Sequence, residues 1–413
     1  MRILRVLLLG VVALAWPPRA LAQAPPADAE SQLPPTRAEF LRQQREAKAQ
    51  ALTPYEPNGL ERAMRLGEQR IVPLLQRDGI YLKFGSLTTG SGFAYGAGYR
   101  DRSFVAGRGT FDVWVAGSLK RYWSVKALAL YPLNAGETIT IEGYAQRFGF
   151  PAEEFFGVGP DSQRPDRSNF NLRGTRVGTE LAVRPVHPLK FGGRLEYLRP
   201  LVSDGRSNRL PPVSSLFDPP AVPGLGVEAN FLRSTVFAAV DTRQPLNARK
   251  GGLYRLDVTR NSDRDSGAFT FTRYDVDLRQ FVSFLSERRI FAGRVLVSTT
   301  DTPPDSTVPF YLMPWLGGND TLRGFRAYRF RGPHAILLQG EYRWEIWSAL
   351  DAALFYDTGK VARRLSDLDL NSLERDYGFG FRFNTDNGIV VRFDAAFGSR
   401  DGKHFHIVFG GIF

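Results

Sequence analysis

Cysteine is absent from the 413-residue chain, which excludes disulfide staples, thiolate nucleophiles and cysteine-bound metal centres. Histidine is nearly as scarce: His187 and His334 are isolated, and only His404 and His406 fall close together. Beyond residue 22 no apolar run reaches the ~20 residues that a membrane-spanning helix needs. No Gly-x-Ser-x-Gly turn marks a serine hydrolase, and the serines near histidines follow no triad order. The glycine-rich GSGFAYGAG (90–98) opens no helix and lacks a following Gly-Lys-Ser/Thr, so it is not a phosphate cradle. No enzyme class, cofactor or metal is nominated. His404 and His406 have an i, i+2 spacing that can hold a metal, but no further ligand stands near them, and ordinary lumenal histidines are the expectation.

The residues that are present start with an export signal over 1–22. Arg2 and Arg5 precede an apolar core, Val6–Trp16, and Ala20-Leu21-Ala22 supplies a small-residue cleavage pattern. Eleven residues at ~1.5 Å each cover only about half of a bilayer core, which argues against a permanent anchor. Removing Arg2, Arg5 and Arg19 with the signal lowers the formal charge from +12 by three to +9. In an exported protein a basic balance suits anionic lipid and lipopolysaccharide head groups better than nucleic acid.

Residues 23–35 (QAPPADAESQLPP) read as a flexible leader, and charged helical patterns follow to about Asp78, with Asn58 as a candidate N-cap. The segment 23–79 is thus a periplasmic leader with short helices. From Ile80 the hydrophobic period switches to two and stays there to the end. In AILLQGEYRWEI (335–346), Ile336, Leu338, Tyr342, Trp344 and Ile346 share one face, and Gln339, Glu341, Arg343 and Glu345 share the other. The same division recurs in 189–197 and 273–284, with aromatics at the ends of the apolar face, as expected where that face meets lipid.

Sixteen strands are expected: 80–87, 92–100, 109–119, 121–132, 137–149, 168–183, 186–199, 228–241, 252–261, 269–285, 288–300, 333–346, 348–358, 374–385, 387–398 and 403–413. An even number lets an antiparallel sheet close without a lipid-exposed edge. The fold class is therefore all-β, a 16-stranded antiparallel transmembrane barrel over 80–413 with a short helical N-terminal extension. Short turns at 118–120 and 286–288 suit the periplasmic side, and the longer connections 150–167, 200–227, 301–332 and 359–373 suit the exterior. The last strand places Phe405, Ile407, Phe409 and Phe413 on one face, a terminal aromatic pattern suited to an outer-membrane assembly signal.

TLRGFRAY (321–328) resembles the Arg-Gly-Phe/Tyr motif in the sixth extracellular loop of the BamA/TamA superfamily of outer-membrane assembly and secretion barrels, the bacterial surface antigen family. DTRQPLNARKGGLY (241–254), FYDTGKV (355–361) and the terminal Phe413 agree with that resemblance in order. It implies a loop folded back into the barrel whose arginine pairs with acids on the inner wall. Strand parity points Glu341 and Asp357 inward, so Arg323 is expected to fork onto both, with Gly324 allowing a turn close to the wall and Phe325 filling the adjoining gap. The structural reading is that Arg323 only stabilises a closed barrel, while the functional one makes it a latch that changes during substrate passage.

The resemblance further implies a bacterial outer-membrane location, a weak seam between first and last strands, and client polypeptides captured by POTRA domains. Residues 23–79 are too few and too helical for one such domain, so client capture would need a separate periplasmic partner or does not happen. The expected function is insertion or translocation of polypeptides at the outer membrane. The alternative is a POTRA-less pore or lipid conduit.

Overall fold

A computed structural model of the chain describes residues 78–409 apart from 244–248, 286–287, 348–349 and 386–387, together with positions 59 and 62. The export signal, nearly all of the 23–79 leader and Phe413 lie outside the described residues.

Alternation of lipid-facing and lumenal side chains builds one sheet. Its strands are β1 (Gly79–Gly85), β2 (Ala94–Ser103), β3 (Gly109–Ser118), β4 (Trp123–Pro132), β5 (Ile139–Phe155), β6 (Ser168–Val183), β7 (Leu189–Asp204), β8 (Phe231–Asp241), β9 (Gly251–Asp263), β10 (Phe271–Phe284) and β11 (Arg289–Asp301). After a long loop holding the two-residue strands β12 (Trp315–Leu316) and β13 (Phe330–Arg331), it continues through β14 (His334–Trp347), β15 (Leu350–Ala362), β16 (Glu374–Thr385), β17 (Gly388–Ser399) and β18 (Gly402–Phe409). The sixteen-stranded sheet runs in chain order, every pairing antiparallel, while β12 and β13 pair only with each other. Its edges come round beside each other, with the Phe93 and Phe409 rings 5.6 Å apart, giving a nearly closed barrel.

The outer wall carries side chains such as Val177, Leu195, Tyr197, Leu354 and Phe379, all exposed. The inner wall is ionic and paired, as where Arg194 meets Glu180 at 2.5 Å and Arg294 meets Asp277 at 2.9 Å. Wet, charged interiors behind an apolar exterior are what a lipid-embedded barrel requires.

Strand alternation sorts the connections into two rims. One carries 86–93, 119–122, 156–167, 205–230, 264–270, the loop from 302 to 333, 363–373 and 400–401; the other carries the turns at 104–108, 133–138, 184–188, 242–250 and 285–288. The first rim holds the long loops and is the exterior one. The short turn expected on the periplasmic side at 118–120 therefore lies on the exterior rim, since β3 runs the same way as β5 and β7 and must end where they end. Strands β5 and β7 are longer than expected, at 17 and 16 residues, while β6 matches its expected 168–183, and the three reach into the exterior loops. The physical reason is burial: Phe155, Phe170 and Val202 on these overhangs pack with Val213, Val222 and Phe310 from the exterior loops in one apolar cluster.

Candidate functional site

The 302–329 stretch folds inward and is fixed by its own local chemistry. Gly317 and Gly318 take positive φ values of 110° and 101°, the left-handed region that suits glycine. The Gly318 amide then donates to the Leu322 and Phe325 carbonyls at 3.1 and 3.0 Å, and the Gly317 amide donates to Thr321 Oγ1 at 2.8 Å. This knot points Arg323 at the wall.

Arg323 is fully buried. Its Nε and Nη2 donate to Asp357 Oδ2 and Oδ1 at 2.7 and 2.8 Å, and its Nη1 donates to Glu341 Oε2 at 2.8 Å. The Arg323 amide adds a longer bond to Asp357 Oδ2, at 3.3 Å. The guanidinium carbon lies 3.5 Å from the Phe355 ring centroid, a stacked cation–π contact. Burial by itself would lower the pKa of Arg323, but Asp357 and then Glu341 outweigh it and hold the guanidinium charged beyond the usual arginine range.

Gly324 and Phe325 complete the contact. A Cβ on Gly324 would stand 2.4 Å from the Asp376 Cβ, so only glycine lets the loop backbone come this close to β16. Phe325 is fully buried among Leu316, Leu322, Phe330, Ala335, Leu337 and Val361, with its ring 5.2 Å from that of Phe330. Gln339 Nε2 donates to the Thr321 carbonyl at 2.7 Å and to Asp357 Oδ1 at 3.2 Å. His406 Nε2 sits 2.7 Å from the Arg323 carbonyl, and Ser399 Oγ donates to the Gly324 carbonyl. His404 shares that lumenal face, its ring stacked 6.3 Å from His406.

The structure thus brings Arg323, Gly324, Phe325, Glu341 and Asp357 together, and it adds residues that motif reading missed. Glu341 also accepts from Arg343 Nε at 2.6 Å and from Arg382 Nε and Nη2 at 3.0 and 2.6 Å. Arg382 Nη1 reaches Asp394 Oδ1 at 2.6 Å and Arg392 Nε reaches Asp394 Oδ2 at 3.2 Å, ion-pair distances at angles too poor for hydrogen bonds. Asp376 faces Asp357 directly across the β15–β16 ladder, fully buried, and its carboxyl oxygens find no hydrogen-bond partner among the described residues. Arg323, Arg343, Arg382 and Arg392 therefore stand among Glu341, Asp357, Asp376 and Asp394, four cations to four acids. The signal for the missed residues was period-two alternation in β16 and β17, where Asp376, Arg382, Arg392 and Asp394 all interrupt apolar neighbours on the opposite face.

A second arginine ties the loop to the rim: Arg329 donates from Nη1 and Nη2 to Ser162 Oγ and the Ser162 carbonyl, both at 2.8 Å, and from Nε to Asp401 Oδ1 at 3.3 Å. Phe405, Ile407 and Phe409 lie on the outer face of β18, at 75%, 67% and 43% exposure; Phe413 falls outside the described residues. Chemically the arrangement grips a loop: Glu341, Asp357 and Asp394 are engaged with guanidiniums, Asp376 finds no hydrogen-bond partner among the described residues, and the nearest imidazole is engaged with a backbone carbonyl.

Residues 110–413 match the Omp85 superfamily domain. No curated protein matches the chain in sequence. Among solved structures, BamA from Haemophilus ducreyi lacking POTRA domains 1-3 is similar with a TM-score of 0.61 at 13% identity, over 81% of this chain and 70% of that one. CdiB from Escherichia coli is similar with a TM-score of 0.54 at 15% identity, over 81% of this chain and 62% of that one. At such identities the likeness to both is one of fold.

Proposed function

Since the chain belongs to the Omp85 superfamily and is a β-barrel of the bacterial outer membrane, we propose that it assists insertion or translocation of polypeptides there, with loop 301–332 as a latch. The observation that carries this reading is the burial of Arg323 between Asp357 and Glu341 on the inner wall. A loop needed only to cap the barrel could be held by apolar contacts. A buried charged grip is different: half-breaking it is costly, and it re-forms only in one register, so it separates two discrete states.

In this reading residues 1–22 direct export, 23–79 lie in the periplasm, and the end of β18 with Phe405, Ile407 and Phe409 addresses the chain to outer-membrane assembly. Clients are unfolded barrel or secreted chains, delivered by a periplasmic partner. The test places photo-crosslinking residues at 82 and 407, on the two strands flanking the seam, in cells. Adducts with nascent outer-membrane or secreted chains, changed in yield by Arg323→Ala, support the proposal. Absence of such adducts, together with steady conductance of Arg323→Ala in planar bilayers, would establish the pore reading instead.

A further inference from the structure

The ion pairing that fills the lumen thins at one patch of the outer surface, where Arg199 has Glu228 only at 3.9 Å and Arg147 and Arg173 meet no carboxylate among the described residues. Reading the ladders across β4, β5, β6 and β7, the outward-facing residues form rows. The row nearest the exterior rim is Trp123, Gly149, Arg173 and Leu201, and the next is Val125, Arg147, Thr175 and Arg199. Below them come Ala127, Ala145, Val177 and Tyr197, then Ala129, Gly143, Thr179 and Leu195. Three arginines thus crown a field of apolar and small side chains that faces lipid.

Above these rows, at the exterior rim, opens a cleft of about 780 Å³. Its walls carry Lys120, Arg121, Arg167, Arg173, Arg206 and Arg209. The acid in the lining, Glu154, is already held by Arg167 at 2.6 Å. Arg121, Arg173, Arg206 and Arg209 are exposed, and none of them meets a carboxylate among the described residues. Within the lumen, by contrast, Arg194, Arg255 and Arg279 each meet an acid at 2.5 or 2.6 Å. Tyr122, whose hydroxyl donates to the Ala152 carbonyl at 2.6 Å, braces the turn that presents Lys120 and Arg121, and the Arg206 amide donates to the Pro151 carbonyl at 2.9 Å. The cations are therefore carried on a braced rim.

We propose that this cleft binds the phosphate-bearing headgroup of an outer-leaflet glycolipid of the lipid A type, with its acyl chains lying on the two lower rows, those of Val177 with Tyr197 and of Thr179 with Leu195. The argument is one of charge and height. Planar guanidiniums fork onto phosphate oxygens, and these stand at the level where lipid phosphates lie, directly over a surface that suits hydrocarbon. A soluble anion would use the cations but not the apolar rows; an acidic peptide would need the cleft but no contact with lipid. The inference rests on the outer-membrane address alone and stands or falls independently of the latch.

The experiment is native mass spectrometry of the full chain in detergent, titrated with diphosphoryl lipid A, with lipid A stripped of its phosphates, and with poly-glutamate. The test variant is Arg121→Gln/Arg173→Gln/Arg206→Gln/Arg209→Gln. The control, Arg260→Gln/Arg264→Gln/Arg288→Gln/Arg289→Gln, loses the same charge elsewhere. Heat-modifiable gel mobility verifies that each barrel is folded, and if the quadruple test variant fails that check, the Arg173→Gln/Arg206→Gln pair takes its place. The expected result is that the wild type and the control retain diphosphoryl lipid A and the test variant retains about tenfold less or lower, while the stripped lipid binds all three weakly. Equal retention by test variant and wild type, an equal loss in the control, equal binding of the stripped lipid, or capture of poly-glutamate in preference to lipid would each overturn the proposal.

Discussion

Replacing Arg323 by alanine strips the loop of its guanidinium, and the wall shows where the cost falls. Glu341 keeps Arg343 and Arg382 within 2.6–3.0 Å and stays compensated. Among the described residues Asp357 then keeps Gln339 Nε2 at 3.2 Å and the residue-323 amide at 3.3 Å, while facing Asp376, which has no hydrogen-bond partner among them. The penalty is therefore mostly that of one buried, uncompensated carboxylate, about 3–5 kcal/mol for a broken buried pair. The lack of native cysteine makes the assay clean: a Thr321→Cys probe, buried within the knot with its thiol in place of the Oγ1 that accepts from Gly317, is the common background of all variants and is labelled by a maleimide only when the loop opens. Arg323→Ala should raise the labelling rate about 10²–10³-fold, and Asp357→Asn added to it should restore much of the protection. Glu341→Gln added to it should not, because that strands Arg343 and Arg382. If labelling is unchanged in Arg323→Ala, or if both acid variants rescue equally, the grip is not what holds the loop.

Three further outcomes are expected. Gly324→Ala should lower the temperature of the heat-modifiable transition, at a cost of about 1–3 kcal/mol, because its Cβ would stand 2.4 Å from that of Asp376; an unchanged transition would remove the close-approach argument. His406→Ala should raise Thr321→Cys labelling only a few-fold, since one hydrogen bond is worth about 1 kcal/mol, with His404→Ala silent; the reverse order would reassign the two imidazoles. Phe405→Arg should destabilise the barrel by about 2–4 kcal/mol if the site lies at the midplane and by less nearer the rim, whereas His404→Arg, on the lumenal face, should be tolerated; equal urea midpoints for the two variants would refute the assigned parity of β18.

Much of the barrel was legible because its two faces meet different solvents. In 335–346 the ionic residues alternate so regularly with the apolar ones that Glu341 could be pointed inward without coordinates, and Asp357 followed from its own strand. Arg382 and Asp394 carry the same signal, yet nothing local says that Arg382 spans from Asp394 to Glu341: that depends on barrel curvature and on how far the loop reaches inward. The overhangs of β5 and β7 were hidden for a different reason. Phe155 and Val202 look like loop residues until Phe310 arrives from more than a hundred positions away to bury them. The misplaced turn at 118–120 shows that length alone does not assign a rim, because direction is inherited from the preceding strand.

The loop's deepest anchors have an uneven distribution round the wall. Glu341, Asp357, Asp376 and His406 sit on β14, β15, β16 and β18, whereas its contacts with the amino-terminal half lie higher, at the exterior rim, through the Thr88 and Tyr328 hydroxyls, Arg329 on Ser162, and Phe310 against Phe155 and Phe170. Were the barrel to part between its first and last strands, the buried Arg323 grip would travel with the carboxy-terminal side. The passage would then be widened by moving one jamb of the door, with the Arg323 pairs to Asp357 and Glu341 left intact.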